Sequence, residues 1–181
     1  MGLKEYRKKR KFSKTPEPKG KAKKSKTSIF AVQKHDARNL HYDFRLEING
    51  VLKSWAIPKG PSMDPKQRRL AIGTEDHPMD YASFEGVIPE GLYGAGIVMV
   101  WDKGTYRNVS EKYDSMKESY KKGHISVELK GKKLKGGFAL IKTPRGWLLV
   151  KRADKYASKS DVLKKTKSAK TGRTLKQIKK R

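Results

Sequence analysis

Two histidines and an aspartate carry the first chemical suggestion in this chain. His41 and Asp43 stand two residues apart in Leu40-His41-Tyr42-Asp43-Phe44-Arg45-Leu46-Glu47-Ile48, and His35 precedes His41 by six positions. Neutral imidazole and carboxylate are the usual protein ligands of catalytic divalent metals, and two His plus one Asp leave positions open for water and substrate. Spacing does not separate Zn²⁺ from Mn²⁺ or Fe²⁺. Arg45 comes next on the same parity, placed to fork onto phosphate oxygens. Its plainer alternative is a salt bridge to Glu47 or Glu75. His77 sits between Asp76 and Pro78 with Tyr81 four residues on. An imidazolium and a phenol near a phosphate supply hydrogen bonds or a proton. Lys59 and Arg69 extend the candidate anion site, although among 45 Lys and Arg any single one is first of all a solvated charge. His124 has no carboxylate pattern nearby and reads as structural or exposed.

These groups need a scaffold that sets them on one face. From Leu40 to Ile48 apolar and polar residues alternate strictly, so a strand turns Leu40, Tyr42, Phe44, Leu46 and Ile48 to a core and His41, Asp43, Arg45 and Glu47 away from it. Mere surface is the bland reading of that polar face. Asn49-Gly50 is the preferred pair for a two-residue type I′ turn, with Val51–Ile57 returning. His35 is expected to reach the site from the loop before the strand. Further strands are predicted at 28–33, 69–75, 97–101, 124–130, 134–142 and 147–152, with Asp76 to Tyr81 irregular. One helix is predicted over 110–122, with Ser110 as N-cap and Gly123 at its end. Trp55, Trp101 and Trp147 fall in strands and are assigned to the core. Many short strands with Gly-rich turns indicate a mainly β fold, a barrel or sandwich with minor helix.

Charge divides the 181-residue chain into three. Residues 1–27 hold twelve basic and two acidic side chains, 28–150 hold twenty and fourteen, and 151–181 hold thirteen and two. An ordinary domain at 28–152 therefore stands between a basic, flexible N-terminal arm at 1–27 and a basic tail at 153–181. Arms short of apolar residues bury too little to offset their ordering entropy, so partial disorder is expected, with a short helix at the C-terminal end. With a net charge of +27, a polyanion is the natural partner.

Several classes are excluded. Without cysteine there are no disulfides, thiolate nucleophiles or Cys-type zinc sites. Gly-x-x-x-x-Gly-Lys-Ser/Thr and Gly-x-Ser-x-Gly are absent, and the glycine-rich stretch before Ile97 precedes a strand rather than the helix that a dinucleotide site needs. No apolar run is long enough to span a bilayer, so a soluble, cytoplasmic, nucleoid-associated protein is expected.

Longer motifs bear on the family. Gln33-Lys34-His35-Asp36-Ala37-Arg38, the strand from Leu40 to Glu47, and Leu52-Lys53-Ser54-Trp55-Ala56-Ile57-Pro58-Lys59-Gly60-Pro61 closely resemble the 3′-phosphoesterase domain of bacterial and archaeal DNA ligase D. So do Glu75-Asp76-His77-Pro78, Asp80-Tyr81, Phe84-Glu85-Gly86, Ile88-Pro89-Glu90-Gly91, Tyr93-Gly94-Ala95-Gly96 and Val100-Trp101-Asp102. Thr15-Pro16-Glu17-Pro18 and Thr171-Gly172-Arg173-Thr174-Leu175 extend the likeness into both arms. The chain looks like a stand-alone member.

The resemblance implies a compact closed β-barrel whose crescent-shaped groove holds Mn²⁺ on His35, His41 and Asp43, other divalent metals remaining open. Arg45, His77 and Tyr81 would contact the scissile phosphate, supported by Lys59, Arg69, Glu75, Gln33 and Glu17. The implied activity heals DNA 3′ ends in non-homologous end joining. A terminal ribonucleoside is removed first, then the 3′-phosphate, leaving a 3′-OH. Substrates would be DNA primer–template 3′ ends, including ends bearing ribonucleotides. Partners would be DNA ligase, polymerase and Ku-type repair proteins, with a monomer expected and no membrane. The family often has an acidic residue where this chain has Lys11, so a change in efficiency or in the balance of the two steps is expected. Alternatives are a non-catalytic nucleic-acid-binding barrel, a phosphoesterase for another substrate such as a cyclic nucleotide phosphate, or a member with one activity.

Overall fold

Alternating residue patterns become nine strands among the residues that the computed structural model describes, 2–20 and 28–180. They are β1 (Ile29–Asp36), β2 (Leu40–Ile48), β3 (Val51–Ile57), β4 (Arg69–His77), β5 (Gly86–Ile88), β6 (Gly96–Asn108), β7 (His124–Lys130), β8 (Lys135–Thr143) and β9 (Gly146–Lys151). Hydrogen bonding runs β1-β2-β3-β4-β9-β8-β7-β6, and β6 pairs back to β1. The result is a closed eight-stranded antiparallel barrel. Closure removes the open edges that invite strand addition. Among the described residues β5 pairs only with the start of β6.

The β2–β3 hairpin turns at Asn49 and Gly50, both at positive φ (53° and 81°), as a type I′ turn requires. Phe44, Leu46, Trp55, Ile57, Phe138 and Leu140 point into the barrel and are almost wholly buried. Trp55 packs on Trp147, and Tyr120 stacks on the same indole, closing one end. All three tryptophans lie in the core. Leu40 does not join it: at the mouth of the β1–β2 pairing, opposite Asp36, it is 49% exposed.

Tyr120 comes from α2 (Met116–Lys122), which is shorter than the sequence suggests. Ser115, not Ser110, is the N-cap, and its hydroxyl accepts from the Glu118 amide. Ser110 instead accepts from the amides of Lys112 and Tyr113 in a turn. Both serines suit a cap, but only Ser115 has an acidic residue three positions on, as a capping box prefers.

The outer face of β1–β3 is not surface. A second apolar cluster of Tyr6, Ala31, Leu52, Tyr81, Ala82, Phe84, Ile88 and Val98 forms there. It is roofed by α1 (Lys4–Lys8) and by a 3₁₀ turn at Met79–Ser83. Polar residues that alternate outward on β2 are therefore enclosed, with Arg45 only 3% exposed.

Part of each basic arm is docked. Tyr6 is fully buried and donates to the Pro18 carbonyl. Residues 21–27 of the N-terminal arm lie outside the described residues. At the other end, Trp101 donates its indole N–H to Lys165 O (2.6 Å), and Glu85 accepts from Ser168 and Thr171. α3 (Leu175–Lys179) is capped by Thr174 and Gln177 and buries Ile178 in the main core. Ile178→Ala is expected to lower unfolding stability by about 2 kcal/mol or more in denaturant melts. An unshifted midpoint would mean the tail is not held there.

Candidate functional site

Strand pairing brings the candidate metal ligands together. His35 lies directly opposite His41 across β1 and β2, and Gln33 lies opposite Asp43. His35 thus arrives from a strand and not from the expected loop, because β1 continues to Asp36. His35 Nδ1 is 3.7 Å from Asp43 Oδ2, and His41 Nε2 is 3.4 Å from Asp43 Oδ1. One donor atom from each of the three residues falls within 4.8 Å of the others.

The remaining ring nitrogens fix the tautomers. His35 Nε2 is 2.8 Å from the Gly94 carbonyl oxygen, and His41 Nδ1 is 2.9 Å from that of Asn39. A carbonyl only accepts, so those nitrogens carry the protons. In the neutral rings the nitrogens facing Asp43 are then lone pairs, the second-sphere arrangement typical of metal-binding histidines. Burial opposes ionisation of Asp43. When the facing nitrogens carry protons instead, hydrogen bonds from His35 and His41, together with the Arg45 charge, hold its carboxyl well below the usual carboxylate range. Burial likewise opposes charge on His41, yet the contact with Asp43 leaves its pKa raised. A proton at that nitrogen and a divalent ion compete for the same space. The donor set therefore fits a divalent metal.

Beside this triad lies Arg45, opposite Ser54 on β3. Its Nε donates to Gln33 Oε1 (2.7 Å), its Nη2 is 3.5 Å from Asp43, and its guanidinium lies over the Tyr81 ring at 4.9 Å. Gln33 is itself fixed by donating to the carbonyls of Tyr81 and Phe84. Arg45 Nη1 is buried and has no hydrogen-bond partner among the described residues.

His77 reaches the same face through a bulge. Ser54 pairs with Thr74 and Leu52 with His77, so β4 advances three residues where β3 advances two. That extra residue turns Thr74 and His77 to one side, as bulges beside active sites do. His77 therefore belongs to the end of β4 and not to the irregular segment expected. Its Nδ1 donates to the Glu75 carbonyl (2.9 Å), leaving Nε2 as acceptor. Burial, then the charges of Arg45 and Arg10, push its pKa well below the usual histidine value, so the ring is neutral. Tyr81 donates its hydroxyl to Glu17 (2.8 Å), and burial and that carboxylate raise its pKa well above the ordinary phenol value.

Arg10 was not singled out from the sequence. Its Nε donates to Glu17 (2.8 Å), Nη1 contacts Glu75 (3.3 Å), and Nη2 lies 3.4 Å from His77 Nε2. Glu17 thereby joins Arg10 to Tyr81, with Thr15 donating to its other oxygen. The faint signal was Tyr6 and Arg10 one helical turn apart, which leaves the guanidinium 4.0 Å over the Tyr6 ring. Glu75 also pairs with Lys9.

Arg10, His35, His41, Asp43, Arg45, Glu75, His77, Tyr81 and Tyr93 line a cleft of about 220 Å³. Lys59 and Arg69 do not line it. Lys59 is exposed in the loop after β3, and Arg69 lies at the start of β4, opposite Leu149, donating to Gln67. Lys11 is exposed and outside the cleft lining too. His124 is half-buried on β7, away from the cleft.

A closed β-barrel with a His-His-Asp cluster that could hold a metal ion, and two enclosed guanidinium groups beside it on the outer wall, defines the class of domain. Residues 33–142 match the DNA Ligase D 3′-phosphoesterase domain, and the chain belongs to that family. It is 53% identical over 173 residues to the multifunctional non-homologous end joining protein LigD of Pseudomonas aeruginosa, covering 90% of this chain and 20% of that protein. The LigD proteins of Mycobacterium tuberculosis and Mycolicibacterium smegmatis are 48% and 45% identical, covering 78% and 82% of this chain and 18% and 20% of their own lengths. The chain thus spans about a fifth of the length of these relatives. Family membership makes it a 3′-phosphoesterase-type domain of the DNA ligase D kind. Among the described residues no helix is long and apolar enough to cross a membrane.

Proposed function

We propose that the protein hydrolyses phosphoesters at DNA 3′ ends, removing a terminal ribonucleoside as a phosphodiesterase and then the remaining 3′-phosphate as a phosphomonoesterase. A 3′-OH fit for extension or sealing is left. His35, His41 and Asp43 would hold Mn²⁺, which when bound polarises a phosphate oxygen and offsets its developing charge. Primer–template ends are the substrate, the net charge of +27 favours their binding, and DNA ligase, polymerase and Ku-type proteins are the partners this chemistry serves.

The observation that carries this reading is the unpartnered Nη1 of Arg45. A buried charged donor left unmatched is costly, and a phosphate oxygen beside the triad would satisfy it. Gln33 and Tyr81 hold the guanidinium in position, so no reorganisation is needed when the anion arrives. Arg10, held by Glu17 and Glu75, adds a second cation next to His77. A bound phosphate offsets the two cations that depress the His77 pKa. The ring can then take a proton, bind the phosphate and protonate the departing oxygen. Tyr81, tied to Glu17, keeps the face beneath Arg45 fixed.

The test is a 5′-labelled primer–template ending in one ribonucleotide. Shortening by one nucleoside to a 3′-phosphate, then conversion to a 3′-OH, is expected, with EDTA stopping both steps and Mn²⁺ restoring them. DNA binding without shortening at any Mn²⁺ concentration would leave a non-catalytic binding barrel, and arrest at the 3′-phosphate a single-activity member.

A further inference from the structure

One aromatic side chain at the rim of the cleft touches the network above only through Lys9 and Arg10. Tyr93 lines the cleft yet is 48% exposed, whereas the other aromatics at the site, Tyr6 and Tyr81, are buried. Its loop is rigid. Leu92 N bonds to Pro89 O and Ala95 N to Leu92 O, forming two successive turns. Gly96, at φ 137°, packs so closely that a Cβ would lie 2.2 Å from the Asp36 carbonyl oxygen. The neighbouring Gly94 carbonyl holds His35, so the ring is tied by one residue to the candidate metal cluster. Lys9 Nζ and Arg10 Cζ lie 5.0 and 5.3 Å from its centroid.

We infer that Tyr93 is the stacking platform for the nucleobase of the 3′-terminal ribonucleoside, the group that leaves in the first step. The inference rests on the proposed 3′-end hydrolysis. Interior bases of a primer are stacked on both sides by the duplex, whereas the terminal base lacks a neighbour on its 3′ side. A fixed, half-open aromatic beside the phosphate site supplies that missing neighbour. Aromatic stacking tolerates any base, which suits ends of arbitrary sequence. The chemical class recognised is a purine or pyrimidine ring carried on the leaving ribose, held by its face and not by hydrogen bonds to its edge.

Three primers separate this role from a structural one: one ending in a ribonucleotide, one ending in an abasic ribose, and one ending in a 3′-phosphate. Tyr93→Leu keeps apolar bulk beside Lys9 and Arg10 but removes the π face. It is expected to reduce kcat/KM on the ribonucleotide primer about tenfold, the scale of one base–aromatic stack. Cleavage of the abasic and 3′-phosphate primers should change less than twofold, and Tyr93→Phe should retain parental rates on all three. Equal losses on all three primers, or no loss on any, would overturn the assignment. If the parent protein cleaves none of the three, the proposed hydrolysis is what fails. Parental cleavage of all three with the Tyr93→Leu pattern absent sinks the platform alone.

Discussion

Asp43→Ala is expected to reduce cleavage of a ribonucleotide-ended primer at least a thousandfold, and His41→Ala to do nearly the same. Both variants should remain folded. The size of the loss follows from what Asp43 touches. Its two oxygens face His35 Nδ1 and His41 Nε2, and it lies 3.5 Å from Arg45 Nη2. Removing it takes one of three donors from the cluster and leaves Arg45 without its carboxylate neighbour. A thousandfold corresponds to about 4 kcal/mol of transition-state stabilisation, within what a positioned charged group supplies. The fold should hold because the side chain points to the outer wall, away from the interior formed by Phe44, Leu46 and Trp55, while the Arg45 guanidinium left without its carboxylate lowers the unfolding temperature of Asp43→Ala. Metal binding gives a readout apart from activity. Titration calorimetry with Mn²⁺ should show a site in the parent that both variants lose. Parental turnover by either variant, or Mn²⁺ binding unaffected by both, would remove the triad from the mechanism.

The placing of His41 and Asp43 on one face was legible because it depends on strand periodicity alone, whereas the route by which His35 joins them depends on the pairing of β1 with β2. A period of two sets His41 and Asp43 on one face, and Asn49-Gly50 fixes the hairpin that presents them. The mainly β fold followed from the same kind of signal, repeated along the chain, while its closure into a barrel was implied by the family resemblance. What stayed hidden depends on contacts remote in sequence. Alternation says that Arg45 points away from the core, but not that Tyr6 and Tyr81 come from opposite directions to cover that face. Arg10 is one of five consecutive basic residues, and no local pattern separates the member that turns inward from its solvated neighbours. The direction of His77 depends on one inserted residue in β4, visible only in pairing with β3. Lys59 and Arg69 show the converse. Their type suited an anion site, but the loop and strand that carry them do not bring them to the cleft.

Arg45→Lys is the second substitution with a large expected effect, and it separates charge from shape. It keeps the cation, so a role in general electrostatic attraction would leave turnover nearly intact. The structure uses the guanidinium as a three-way fork: Nε is committed to Gln33, Nη2 lies toward Asp43, and Nη1 is free for a phosphate oxygen. Lysine offers a single point of charge on a flexible stem and cannot meet three fixed directions together. A loss of about a hundredfold in kcat is expected, comparable to removing one preorganised donor to a developing oxyanion. Arg45→Ala should cost more, because it also leaves Asp43 without its neighbouring cation and uncovers the Tyr81 ring. Affinity for duplex DNA should barely change in Arg45→Lys, since binding draws on the exposed lysines of the arms and barrel and not on one enclosed group. Salt titrations of binding beside single-turnover cleavage therefore make the comparison. Equal cleavage by Lys and Arg at this position would reduce Arg45 to a background charge. Equal losses in binding and cleavage would shift it from the reaction to the grip on the DNA.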